Sequence, residues 1–119
     1  MTTTDLQRIN PTPLWSDAVC FNGTGYFVEV PESGTDFTAQ TRALLAQAER
    51  TLHAIGSDKA RLLMVTIYLP DLAHRQALNE LWREWLPEGC APARACVRAE
   101  LASPDLLIEM AFVAALQPA

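Results

Sequence analysis

The sequence lacks the residue patterns that mark metalloproteins and disulfide-stabilised proteins. Its 119 residues include only 3 cysteines and 2 histidines, and no two cysteines form a Cys-x-x-Cys pair. His53 and His74 are isolated in sequence from each other and from the cysteines, so the chain offers no credible zinc ligand set. An odd number of cysteines favours free thiols over a disulfide framework.

The sequence is also poor in positive charge and in long apolar runs. It has 9 Lys and Arg against 14 Asp and Glu, a formal net charge of −5 at pH 7. We expect no nucleic-acid partner, because nucleic-acid binding normally needs a basic stripe that displaces counterions. No apolar run approaches the roughly 18 residues of a membrane span, and MTTTDLQRIN does not resemble a signal peptide. These absences predict a cytoplasmic protein that contacts no membrane.

What is present predicts one globular α+β domain over residues 1–119. Half of the residues are hydrophobic, which suits a soluble chain with a modest core and an acidic surface. The apolar spacing predicts the element order β-β-α-β-α-β-β. Strands are expected at 17–21, 24–30, 61–69, 93–102 and 106–115, with one helix from Thr35 or Asp36 to Gly56 and another from Asp71 to the LPEG sequence at 86–89.

Turn and cap residues support these boundaries. Asn22-Gly23 lies between two apolar runs and is typical of a tight hairpin turn. Thr35 or Asp36 can cap the first helix. The Ser-Pro-Asp sequence at 103–105 predicts a turn between the last two strands.

Four or five strands and two helices predict a two-layer sandwich in which both helices cover the same face of the sheet. The other face must contact water or another subunit. Met64, Thr66 and Tyr68 of the expected central strand are too apolar as a group for free solvent, so we expect oligomerisation through the sheet.

The stretch APARACVRAE, residues 91–100, places Arg94, Cys96 and Arg98 on one face of an otherwise apolar strand. Arg94 could bind a carboxylate through two parallel hydrogen bonds, or it could be an ordinary surface arginine. Cys96 could be a nucleophile, but no histidine lies near it in sequence to activate it. A small packed thiol is the favoured interpretation.

Glu109 lies among apolar neighbours in LIEMAFV. It is either satisfied by a structural partner or raised in pKa and able to move protons. If the Ser-Pro-Asp turn joins adjacent antiparallel strands, the side chains of Arg94 and Glu109 are roughly 20 Å apart in one subunit. A pocket that uses both residues would then lie between subunits.

PARACV at 92–97, followed by the fifteen-residue spacing from Arg94 to Glu109 in IEM, resembles the carboxy-terminal signature of the Rid family. Members are also called YjgF or reactive intermediate deaminase proteins. The resemblance covers nearly the whole chain, because further stretches follow the family's order and lengths. These stretches are WSDAV, NGTGYFVEVP, QTRALLAQAERTLHAIGS, MVTIYLPDL and ALNELWREWLP.

The resemblance implies a chorismate-mutase-like fold and a homotrimer with clefts between subunits. It also implies hydrolysis of reactive enamines or imines to ketones and ammonia, with no metal or organic cofactor. Arg94 matches the arginine that binds the substrate carboxylate, and Glu109 matches the acid associated with the attacking water. Cys96 and Asn79 match residues found in or near that pocket.

Two positions depart from the imine-hydrolysing members. Trp15 stands before Ser16 where those members usually have tyrosine, which removes a phenolic hydroxyl. Val28-Glu29-Val30 stands where they usually have Ser-Gly-Gln. If the carboxylate of Glu29 occupies Arg94, the ligands would be neutral or cationic, or deamination would be weak. The alternative is that Glu29 points into solvent.

Two other functions remain open. One is a non-catalytic trimer that binds a small metabolite or has a regulatory role. The other is the ribonuclease activity sometimes associated with such proteins, which fits poorly with a net charge of −5.

Overall fold

The computed structural model describes residues 5–118 as one six-stranded sheet with two α-helices and two short 3-10 turns. The strands are β1 Gln7–Ile9, β2 Ala18–Phe21, β3 Thr24–Glu29, β4 Leu62–Leu69, β5 Ala93–Arg98 and β6 Glu109–Ala115. The helices are α1 Phe37–Ala54 and α2 Arg75–Trp85, and the 3-10 turns are Lys59–Arg61 and Leu72–His74. The predicted α+β class and element order are confirmed, with β1 as an added strand.

β1 is the strand that the sequence pattern missed. It is only 3 residues long and pairs antiparallel with β2, Arg8 lying opposite Val19. Three residues are too few to show the alternation that identifies a strand from sequence. The count of four or five strands was therefore too low.

Local signals explain the first hairpin and the start of α1. Asn22 and Gly23 both have positive φ, 54° and 80°, as a two-residue hairpin turn requires. At the helix, Asp36 rather than Thr35 is the cap, since its Oδ1 accepts a hydrogen bond from the Ala39 amide at 2.8 Å.

The last two strands are not neighbours, so the expectation of an adjacent antiparallel pair is wrong. The sheet order is β1-β2-β3-β6-β4-β5, with β5 parallel to β4 at the edge. β6 is antiparallel to both β3 and β4. Met110 and Phe112 of β6 are buried, which suits an interior strand, whereas two arginines suit β5 to an edge.

The core lies between the sheet and the two helices. On the helix-facing side, Val65 and Ile67 of β4 are fully buried beside Phe112 and Met110 of β6. Phe112 also stacks on Phe27 of β3, with ring centroids 4.7 Å apart. No helix in residues 5–118 is long and apolar enough to cross a membrane.

The opposite side of the sheet is not covered by helices, and we call it the open face. Tyr26 and Val28 of β3 are 46% and 56% exposed there, and Val97 of β5 is 42% exposed. Along β3 and β6 the residues of this face alternate with buried ones. The chain alone therefore leaves an apolar sheet surface in contact with solvent.

Candidate functional site

Arg94 lies on the helix-facing side of the edge strand β5. It pairs in register with the buried Val65, and paired residues of neighbouring strands share a face. Its Nη2 donates a hydrogen bond to Oδ1 of Asn79 on α2 at 2.8 Å. Asn79 therefore holds one terminal nitrogen of the guanidinium in place.

A hollow of about 440 Å³ lies beside this guanidinium. Trp82 and Leu86 form part of its wall, and Asn79 and Arg94 are its polar elements together with Arg83 and Glu88. Within residues 5–118 no carboxylate forms an ion pair with Arg94. The remaining N–H donors of Arg94 can therefore bind an anionic group that enters the hollow.

Cys96 is on the same face as Arg94, two residues further along β5. It pairs in register with Ile67, and its half-buried side chain packs against the core. No histidine forms a hydrogen bond with its sulphur in the described part of the chain. This packing agrees with a small structural thiol, and Cys96 does not line the hollow beside Arg94.

A second cysteine can be set aside as a nucleophile. Cys20 is 4% exposed on β2, and burial raises the pKa of its thiol. A raised pKa keeps the thiol protonated at neutral pH, where only the thiolate is strongly nucleophilic.

Glu109 begins β6 and lies on the open face. It pairs in register with Tyr68, and both side chains line a hollow of about 320 Å³ with Val28 and residues 99–102. Among residues 5–118 no side chain or backbone group hydrogen-bonds to its carboxylate. The sequence alternative of a structural partner therefore does not hold within residues 5–118.

Arg94 and Glu109 consequently line different hollows on opposite faces of the sheet. The register used to separate them in the sequence analysis is wrong, because β5 and β6 are not paired. The two residues still lie on strands that are not neighbours, since β4 lies between β5 and β6. One chain does not bring the two side chains to one ligand.

Glu29 is held by α1. Its Oε2 accepts a hydrogen bond from the Thr51 hydroxyl at 2.7 Å, and its Oε1 accepts one from Nε2 of Gln47 at 3.2 Å. Two strands, β6 and β4, separate it from the strand of Arg94. Within one chain Glu29 therefore neither contacts Arg94 nor extends freely into solvent.

Trp15 and Glu29 line a third hollow of about 260 Å³ together with Asp17 and Thr51. The Trp15 side chain is 64% exposed, although its loop is well ordered by hydrogen bonds. The backbone amide of Trp15 donates to Oγ1 of Thr12 at 3.0 Å, and its carbonyl accepts from the Thr12 hydroxyl at 2.9 Å. An exposed indole on a fixed backbone can form one wall of a ligand site.

Sequence reasoning missed Tyr68 and Thr51 as neighbours of the candidate site. Tyr68 was identified only as an open-face residue, and its pairing with Glu109 depends on strand order. Thr51 lies in a helix whose sequence gives no sign of a carboxylate partner. No group of three or more His, Cys, Asp or Glu side chains in residues 5–118 is arranged to hold a metal ion.

Comparison with known proteins identifies the family. The family model described as Endoribonuclease L-PSP matches residues 6–116. The RutC family protein YoaB of Escherichia coli (strain K12) is 39% identical over 110 residues, which is 92% of this chain and 96% of that protein. The chain belongs to the Rid family, also named YjgF or RutC.

Other Rid-family members match over similar lengths. A RutC family protein of Haemophilus ducreyi is 34% identical over 113 residues, covering 93% of this chain and 97% of that one. The crystal structure of NMB1025, a YjgF family member from Neisseria meningitidis, is 39% identical. It covers 99% of this chain and 100% of that chain with a TM-score of 0.95, so the fold is that of the Rid family.

Proposed function

We propose that this protein hydrolyses small reactive enamines or imines to ketones and ammonia in clefts between the subunits of a homotrimer. The observation that carries the proposal is the Arg94 guanidinium, held by Asn79 at 2.8 Å beside an open hollow and without a carboxylate partner in residues 5–118. In a Rid-family chain, this arrangement supports binding of a substrate carboxylate.

The positions of Arg94 and Glu109 support a cleft formed by more than one copy of the chain. Arg94 and Glu109 are on opposite faces of the sheet, so a cleft that uses both must draw them from different copies of the chain. The apolar open face, with Tyr26 and Val28 exposed, supports association of copies through this surface.

The chemistry needs a binding group and a proton carrier. Water adds to the carbon of a protonated imine and forms a C–O bond, while the C=N electron pair moves to nitrogen. One proton moves from the added oxygen to nitrogen. The C–N bond then breaks as the remaining hydroxyl proton is lost to the carboxylate or to water, which releases the ketone and ammonia. In this scheme Glu109 orients the water and carries the proton, a role worth typically about 10²- to 10⁴-fold.

The residues around the cleft point to a substrate class. Arg94 favours a carboxylate, as in a 2-iminoacid. Asn79 holds its guanidinium, and Cys96 follows Arg94 by two residues on the same face of β5. Trp15 and Glu29 belong to a hollow that also contains Asp17. The negative charges of Glu29 and Asp17 favour substrates that are neutral or cationic apart from the carboxylate bound by Arg94.

The reaction consumes only water, so the proposal requires no metal or organic cofactor. We assign it to the cytoplasm, where the three free cysteines of the described chain would stay reduced.

The test is to supply a freshly generated 2-iminoacid and to follow the release of keto acid and ammonia. We expect faster release than in buffer and a loss of about 100-fold in kcat/KM for Arg94→Ala, mostly through KM, as expected for a lost charge-assisted ion pair. Arg98→Ala is the matched control, because Arg98 is an exposed arginine on the same strand and face. No acceleration by the wild type, or equal rates for Arg94→Ala, would exclude the deaminase.

The second candidate is a non-catalytic trimer that binds a small metabolite or has a regulatory role. The observation that favours it is Glu29, whose two hydrogen bonds to α1 fix a carboxylate in the Trp15 hollow. A screen of small metabolites by thermal shift would support this function if it found stabilisation without turnover.

Ribonuclease activity has weaker support in spite of the family model's description. A net charge of −5 opposes binding of a polyanion. RNA cleavage that survives rigorous purification and disappears in Arg94→Ala would reverse this assessment.

A further inference from the structure

Gln40 links the helix layer to the chain segment that leads into Glu109. It lies in the first turn of α1 and is 6% exposed. Its Oε1 accepts a hydrogen bond from the Leu107 amide at 2.8 Å, and its Nε2 donates to the carbonyl of Asp105 at 2.8 Å. Nε2 also donates to the carbonyl of Gly34 at 3.2 Å.

Both N–H bonds of the amide and one lone pair of its oxygen are therefore used. All three partners are backbone groups, two of them in the connection between β5 and β6. A buried amide that is satisfied only by backbone groups fixes the path of that connection, because its loss would leave a buried donor and acceptor without partners.

The path matters because the side-chain direction of Glu109 follows from it. Leu107 is bonded to Gln40, Ile108 is fully buried in the core, and Glu109 then lies on the open face. Residues 107 and 108 lead directly into β6, which begins at Glu109, so fixing them constrains where and in which direction Glu109 enters the strand. The same connection supplies residues 99–102 of the hollow that contains Glu109.

We propose that Gln40 is a positioning residue, which acts through the β5–β6 connection to aim the carboxylate of Glu109 at its hollow. This inference rests on the proposed hydrolysis for its kinetic consequence. Gln40 does not line the Glu109 hollow, so its effect on the reaction is indirect. Small misplacements of a reacting group are costly, and an indirect effect can still be large.

The kinetic test uses Gln40→Met, which keeps the side-chain length but removes all three hydrogen bonds. We expect kcat to fall about tenfold while KM stays within about twofold. In a Glu109→Gln background the same change should lower kcat no further, because the group that it positions is already gone.

The matched control is Ser57→Ala. Ser57 is 5% exposed, and its hydroxyl donates to the carbonyl of Ala115 at 2.7 Å, at the far end of β6. This variant removes a buried hydrogen bond from the same strand without touching the Glu109 end. We expect its kcat to stay within about twofold of the wild type.

A second measurement does not depend on activity. In Gln40→Met, amide hydrogen exchange should accelerate by about tenfold or more at Glu109 and Met110 and remain slow at Ala114. In Ser57→Ala exchange should accelerate at Ala114 and remain slow at Glu109 and Met110. Unchanged exchange at Glu109 and Met110 would overturn the proposal, as would an equal loss of kcat in both backgrounds. If the wild type has no hydrolytic activity, the proposed function fails and the exchange pattern alone decides whether Gln40 positions Glu109.

Discussion

Arg94 and Glu109 lie on opposite faces of one sheet. Val65 pairs in register with both Arg94 and Phe112, and Phe112 is buried on the helix-facing side. Glu109 is three residues from Phe112 along β6, an odd number, and therefore points the other way. A ligand bound by both side chains would require two copies of the chain.

Association through the open face is the first prediction. Tyr26→Lys places an ammonium group on an exposed apolar part of that face. Association would bury this group, and burial of an unpaired charge is costly. We expect the variant to dissociate and to lose activity while the isolated chain remains folded. Light scattering after size-exclusion chromatography measures the mass, and circular dichroism measures the fold.

The control for this variant is Leu72→Lys. Leu72 has a similar exposure, 42% against 46% for Tyr26, but lies on a 3-10 turn outside the sheet. Leu72→Lys should leave the mass of the oligomer unchanged. A monomeric wild type at working concentrations would contradict the cleft between subunits.

Asn79 should control affinity more than turnover. Asn79→Ala removes the hydrogen bond to Nη2 of Arg94 and leaves the guanidinium more mobile. We expect KM for a 2-iminoacid to rise about tenfold, the value of a hydrogen bond to a charged group, with kcat within about twofold. Asn79→Asp should raise KM further, because its carboxylate would compete with the substrate for Arg94.

Steady-state kinetics measures this effect, with Glu80→Ala as the control. Glu80 is the exposed neighbour of Asn79 on α2, and its removal should change neither constant. An equal effect of the Glu80 and Asn79 variants would refute the role of the hydrogen bond.

Glu29 should set the charge preference of the substrate. Glu29→Gln removes the negative charge from the Trp15 hollow but keeps an oxygen that can accept from Thr51. We expect the ratio of kcat/KM for an acidic side chain to that for a basic one to rise several-fold. A panel of 2-iminoacids with acidic, neutral and basic side chains gives this ratio.

Glu32→Gln is the matched control. Glu32 also lines that hollow but is exposed and forms an ion pair with Arg50 at 3.2 Å. Its replacement should change the ratio less than Glu29→Gln does. If the ratio is the same in the wild type and in Glu29→Gln, the hollow has no part in selectivity.

Cys20 should make stability depend on alkaline pH. Burial raises the pKa of its thiol above the ordinary value, so the folded state retains the proton where the unfolded state loses it. The stabilisation is complete below the ordinary thiol pKa and is lost as pH rises through the raised pKa. Chemical denaturation at a series of pH values from neutral to alkaline measures the decline.

In Cys20→Ala this decline should be shallower, and the difference between the two proteins isolates the thiol. A thiol reagent should also modify Cys90 and Cys96 of the native protein before Cys20, which is the buried cysteine of the three. Identical pH profiles for wild type and variant would contradict the effect of burial.

Several features could be read from the chain because their causes are local. The Asn22-Gly23 turn follows from two residues that tolerate positive φ, and α1 follows from the cap at Asp36 and its apolar spacing. Family membership was also predictable, because the motifs around Arg94 and Glu109 are contiguous stretches of sequence.

Other features depend on contacts between distant segments. The Ser-Pro-Asp turn gave the wrong neighbour for β6, because a turn sequence does not reveal whether the chain returns to the same strand or crosses to another. The partners of Glu29 likewise required the position of Thr51, 22 residues away in α1.

The sequence by itself determined the order of the elements from β2 onward, the α+β class and the family, because spacing, turn chemistry and motifs act over a few residues. Only the tertiary structure decided that β6 is central, that Arg94 and Glu109 face opposite ways, and that α1 holds Glu29. The physical reason is that strand neighbours and faces are selected by burial of the whole sheet against the helices, a non-local balance.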